Sequence, residues 1–173
     1  MGGHAAEILM DDRHGALVVW RGSVLLQTRS GQLDPKALTL GQGFAQRAQR
    51  AGRPVGFLAV LEPGAPLPSA ELRQRQREAV ESFGRYELAR IAAAILGEDT
   101  TASLSRSSGR LLGPGNPRIQ RFDALRPAVS WLAQELTTLA AAHPSTAERV
   151  RPTDLYEAIE QVRRMPERHK ETP

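Results

Sequence analysis

Ser69 stands between an apolar run and a helical pattern, where a hydroxyl can take up chemistry in an open α/β sheet. Val55, Phe57, Leu58, Val60 and Leu61 form the near-continuous apolar stretch expected of a strand covered on both faces. Glu62-Pro63-Gly64 stops the strand, Pro66 and Pro68 keep the chain extended, and Ser69 falls at the N-cap position of a helix. A phosphate on that hydroxyl would meet free backbone N–H groups and the positive end of the helix dipole. Plain capping explains the same serine, and Thr100 and Thr101 open another such end.

Other residue pairs fall short of catalysis. Glu98-Asp99 and Asp11-Asp12 are adjacent carboxylates in turn-like segments, where neighbours point apart and read as solvated charges. His4, His14, His143 and His169 are scattered over turns and tails, so they build neither a metal cluster nor a Ser-His-Asp triad. Gly41-Gln42-Gly43 lies inside a helical pattern rather than after a strand, and no GxxxxGK[ST], GxGxxG or GxSxG motif occurs. The expectation is a chain that is not an enzyme and uses no cofactor or metal.

The elements that must hold Ser69 follow from composition and pattern. At 173 residues with 40% hydrophobic and 24% charged side chains, the chain is long enough for one globular core plus an extension. Cysteine is absent, which excludes disulfides and makes the cytosol the default compartment. No stretch approaches the roughly 18 apolar residues of a membrane span, and MGGHAAEILMDD lacks the cationic-then-apolar pattern of a secretory leader. Net charge is +4 with only Lys36 and Lys170 as lysines, so the basic character is carried by arginine. So modest an excess disfavours nucleic acid as a partner.

Glu7 to Met10 and Ala16 to Trp20 read as a hairpin around Asp12-Arg13-His14-Gly15, and Ser23 to Arg29 as a continuation past a bulge at Gly22. Asp34-Pro35 starts a helix that runs to about Ala51, with Leu38, Phe44, Ala45 and Ala48 as its buried stripe. After the strand Val55 to Leu61, a second helix spans Ser69 to about Phe83, with Arg73, Arg75 and Arg77 on a solvated face. Leu88 to Leu96 is expected as a buried strand despite its alanines, followed by a third helix from Thr101 to about Leu112. Gly113-Pro-Gly-Asn-Pro is a turn, and Arg118 to Phe122 alternates as an edge strand. A helix from near Pro127 carries Val129, Leu132, Leu136 and Leu139, with Trp131 beside them. A last helix, Pro152 to Met165, presents Leu155, Ile159 and Val162 on one face, and Pro166 onward is expected to be disordered.

This order resembles the STAS superfamily, the anti-sigma factor antagonist fold, and looks most like the SpoIIAA-like or STAS-like proteins of bacteria. The residues that carry the resemblance are ALVVWRG (16–22), GFLAVLEPGAPLPSAELR (56–73), ARIAAAILGEDTTASLSRSSGRLL (89–112) and RFDALRPAVSWLAQEL (121–136). The resemblance implies an α/β domain over residues 1–142, with a mixed sheet of four to five strands covered by about four helices. Residues 143–173 then form a helical extension with a disordered end. In the phosphorylated antagonists a serine follows the third strand within an Asp-Ser-Ser-Gly-type motif. Here the matching stretch runs from Glu62 to Ser69 without it, and Ser107-Ser108-Gly109 repeats the letters inside the expected third helix.

The function expected from the resemblance is a non-catalytic regulatory or protein-interaction module. It would meet a protein partner around the third strand and second helix, through Glu62, Leu67, Ser69 and Arg73. The face of Leu155, Ile159 and Val162 needs a surface too, in cis, in a homodimer or on another protein. A lipid or small-ligand binder is the alternative, and an apolar pocket beneath the helix expected over Thr101 to Leu112 would distinguish it.

Overall fold

The computed structural model describes residues 6–99, 102–103, 116–143 and 149–168. Its strands are β1 (Glu7–Asp12), β2 (Gly15–Trp20), β3 (Val24–Arg29), β4 (Val55–Leu61), β5 (Ala89–Ile95) and β6 (Ile119–Phe122). Its helices are α1 (Pro35–Arg50), α2 (Ala70–Gly84), α3 (Leu125–Ala142) and α4 (Pro152–Arg168). The strands lie in the spatial order β1-β2-β3-β4-β5-β6. The first three form an antiparallel meander, and β3 to β6 run parallel.

The mixed sheet has six strands rather than four or five, because Val24–Arg29 is a strand of its own. A tight turn replaces the expected bulge: Arg21 at φ 50° and Gly22 at φ 67° both take positive φ, and the Ser23 N–H donates to the Trp20 carbonyl at 3.3 Å. Arg21 tolerates its conformation with its guanidinium 4.5 Å from the centre of the Trp20 ring and 3.0 Å from the Asp154 carboxylate.

Two layers of helix cover the sheet. Crossovers between parallel neighbours carry α1 and α2 over one face, where Phe44, Ala48 and Phe83 meet Leu17, Leu25 and Ile91. On the other face Leu132, Leu136, Leu155 and Ile159 of α3 and α4 pack on Val18, Leu26, Leu58 and Ala92. The alanines of β5 favour helix by propensity, but in this central strand they serve close approach. Ala92 and Ala94 are fully buried beneath α3. Gly56 does the same on β4, where a Cβ would lie 2.8 Å from Leu136 Cδ1. Trp131 of α3 packs on β6, its ring 6.0 Å from that of Phe122.

The last helix is part of this core rather than an extension beyond residue 142. Leu155 and Ile159 are 0% exposed and Val162 is 4% exposed, against the sheet and α3. It is also longer than expected. Pro166 lies within the helix, which runs to Arg168, because a proline so near the end forfeits one backbone bond in the last turn without needing to break it. Helix α3 begins two residues before Pro127, at Leu125. The helix expected over Thr101 to Leu112, its caps Thr100 and Thr101, and Ser107-Ser108-Gly109 lie outside the described residues, apart from the helical pair Ala102 and Ser103. Among the described residues no helix is long and apolar enough to cross a membrane.

A candidate ligand-binding cavity

Strand register decides what lies beneath α1 and α2. Side chains of alternate residues share a sheet face, so three rows can be traced across this one. The row Val19, Leu25, Phe57, Ile91 and Ile119 is apolar throughout. The next, Leu17, Gln27, Ala59, Ala93 and Arg121, is small at its centre and polar toward β6. The third, at the C-terminal ends of the parallel strands, is Arg29, Leu61 and Ile95. Alanine on both central strands leaves the middle of the face low, while α1 and α2 span it at the height set by Phe44 and Phe83.

The result is a cavity of about 670 Å³ between the sheet and the two helices. Exposure records the same asymmetry. On β4 and β5, Leu58, Val60, Ala92 and Ala94 beneath α3 are at most 2% exposed, whereas Phe57, Ala59 and Ala93 on the cavity face are only half-buried. Helix α2 contributes few side chains to a dry core, with Phe83 and Gly84 its only buried residues.

The electrostatics of the lining are one-sided. Arg29, Arg73, Arg77 and Arg121 all contribute to the wall, together with Gln27 and Gln76, and no aspartate or glutamate does so among the described residues. Burial pushes the Arg29 guanidinium down to about 10, although Nη1 donates to the carbonyls of Gly31 and Pro66, each at 2.8 Å. Burial also lowers the Arg121 pKa, and its guanidinium makes no hydrogen bond or ion pair with any described residue. Arg73 Nη1 donates to the Pro68 carbonyl at 2.9 Å, tying the first turn of α2 to the loop before it.

The residues singled out from sequence disperse. Ser69 caps α2 as expected, its hydroxyl oxygen accepting the Leu72 N–H at 3.2 Å. Glu62 is not a free partner contact. Arg163 of α4 grips it through Nε at 2.6 Å and Nη2 at 2.8 Å, and the Thr28 hydroxyl donates to it at 3.2 Å. That bidentate pair, with Glu160 at 2.6 Å, raises the Arg163 pKa above its ordinary value. Leu67, half-buried, and Arg73, still exposed, both line the cavity. The Leu155, Ile159 and Val162 face docks in cis, covered by the chain's own sheet and α3. Asp99 holds two loops together, accepting the Ala102 N–H at 2.7 Å and the Gly64 N–H at 2.9 Å. Among the described residues no group of three or more metal-ligating side chains occurs.

No family model matches the chain, and no curated protein matches its sequence.

The cavity lies under α1 and α2, whereas the stretch Thr101 to Leu112 lies outside the described residues apart from Ala102 and Ser103. In the sequence Arg121 reads as one residue of an alternating edge strand, and Arg73 and Arg77 as part of a solvated face. The signal was present in the spacing of Ile119 and Arg121, which share a face, but only the register sets that face against Ala93. The arrangement can enclose a drug-sized molecule, because 300–1,000 Å³ is the ordinary range for such sites. Apolar side chains would hold the body of that molecule, and guanidinium groups its charge.

Proposed function

We propose that this chain is a non-catalytic, STAS-like binding module whose ligand is a small molecule with an apolar body, held between the sheet and the α1/α2 layer. The observation that carries this is the 670 Å³ cavity over half-buried Phe57, Ala59 and Ala93 on central strands, where a closed core would have filled the space. A small ligand takes precedence over a protein partner because Glu62, Leu155, Ile159 and Val162, among the contacts expected for a partner, are otherwise engaged. Glu62 is paired with Arg163, and Leu155, Ile159 and Val162 are buried. The order of elements, with α/β crossovers and a helical layer on each face, remains compatible with the STAS-like resemblance.

The test is fluorescence titration of the folded full chain with N-phenyl-1-naphthylamine, an uncharged apolar probe. Saturable binding at one site per chain is expected. It should weaken at least tenfold in Ala59→Leu, which fills the cavity without touching the outer surface. Absence of saturable binding by the wild-type chain, or equal binding by Ala59→Leu, would remove the proposal.

A further inference from the structure

Arg121 is a half-buried charge in the cavity wall with no side-chain partner among the described residues. It lies on the edge strand β6, in register with Ala93, and on the same face as Ile119. A guanidinium presents five N–H donors in a rigid fork suited to a carboxylate or phosphate. Here burial removes part of its water, and no described residue supplies an acceptor in exchange. Desolvating a charge without pairing it is costly. The other cations of the wall add to the same positive field without a carboxylate among the described residues to offset it. Next to Arg121 the floor turns apolar, with Ile119 and Ile91 in the adjoining row leading to Phe57 and Leu25.

Resting on the ligand-binding function proposed above, we infer that the occupant is an anionic amphiphile, with its acidic head on Arg121 and its apolar body over the half-buried Ile119, Ala93, Phe57 and Ala59. Length and charge are both needed. A neutral apolar molecule would leave the arginine unpaired, and a small inorganic anion would leave half-buried Phe57, Ala59 and Ala93 uncovered. Arg29 differs in role, because the Gly31 and Pro66 carbonyls already hold it and it braces the loops at the strand ends.

Isothermal calorimetry of the full chain with monomeric dodecanoate and with dodecanol, which shares the chain but not the charge, separates the two claims. Dodecanoate is expected to bind at least tenfold more tightly. Arg121→Gln should reduce that preference to within about twofold while dodecanol binding and the melting temperature stay unchanged. Arg50→Gln, on the exposed end of α1, should leave the preference intact and so controls for net charge. Equal binding of the two probes by the wild-type chain would overturn the head-group assignment while leaving the cavity as a ligand site. A preference that persists in Arg121→Gln would do the same. Failure of both probes to bind would overturn the assignment together with the proposed function.

Discussion

Filling the cavity should stabilise the protein, and Ala59→Leu is the substitution that shows it. Ala59 is half-buried on a central strand, with Gln27 and Ala93 as its neighbours in the row and open space above. Leucine adds three carbons, worth about 0.8 kcal/mol each when fully buried, so about 2.4 kcal/mol is the ceiling. The cavity is open at its mouth, which makes burial incomplete, and fixing the leucine rotamer costs about 0.5–1 kcal/mol. A net gain of about 1 kcal/mol remains, or about 2–4 °C in melting temperature for a chain of this size. Urea unfolding followed by circular dichroism measures it, with a higher midpoint at an unchanged m-value as the expected result. A packed interior would respond with the opposite sign, since over-packing costs about 1–3 kcal/mol. Loss of stability of that size in Ala59→Leu would refute the claim that the space is there.

The remaining predictions concern other parts of the molecule. Ser69→Ala should cost about 1 kcal/mol in the same urea assay, through loss of the bond to the Leu72 N–H. Ile159→Ala, at a fully buried position of α4, should cost about 2–4 kcal/mol and leave the assembly state seen by analytical ultracentrifugation unchanged. Burial tends to raise the Asp154 pKa, but hydrogen bonds and charge from Arg151 and Arg21 outweigh it, and the net shift is downward. A carboxyl whose folded pKa is depressed stabilises the ionised native state above its unfolded pKa and loses that contribution as pH falls through the folded value. Asp154→Asn should therefore flatten the fall in stability below about pH 4. Arg121→Met should leave the empty protein as stable as wild type or up to about 1 kcal/mol more so, since it removes a half-buried, unpaired charge that water still partly screens.

The legible parts of the fold were those written in local pattern. The apolar run of β4, the Asp34-Pro35 start of α1, the Ser69 cap and the Leu155, Ile159 and Val162 stripe each announce an element through a few neighbouring residues. The Leu88 to Leu96 stretch was readable only by setting its propensity for helix against its position between Gly84 and Gly97. Strand β3 was hidden because its turn uses arginine at a left-handed position, where Asn-Gly or Asp-Gly would have signalled a hairpin. The destination of the α4 stripe was not local information, since an apolar helical face looks the same whether it covers its own sheet or another chain. The cavity was hidden for a related reason. Ala59 and Ala93 are unremarkable on their separate strands and form a hollow only because the parallel register sets them side by side. Arg121 carries the same lesson, as its meaning depends on the alanine beside it and on the absence of a nearby carboxylate among the described residues.

Methyl-resolved NMR tests the central claim most directly. Titration of the full chain with dodecanoate should shift the methyl signals of Leu25, Ile91 and Ile119 together and saturably. The signals of Leu58, Leu132 and Ile159, in the core beneath α3 and α4, should hardly move. A titration that leaves the first three signals in place, or that moves the second set instead, would contradict a ligand site between the sheet and the α1/α2 layer.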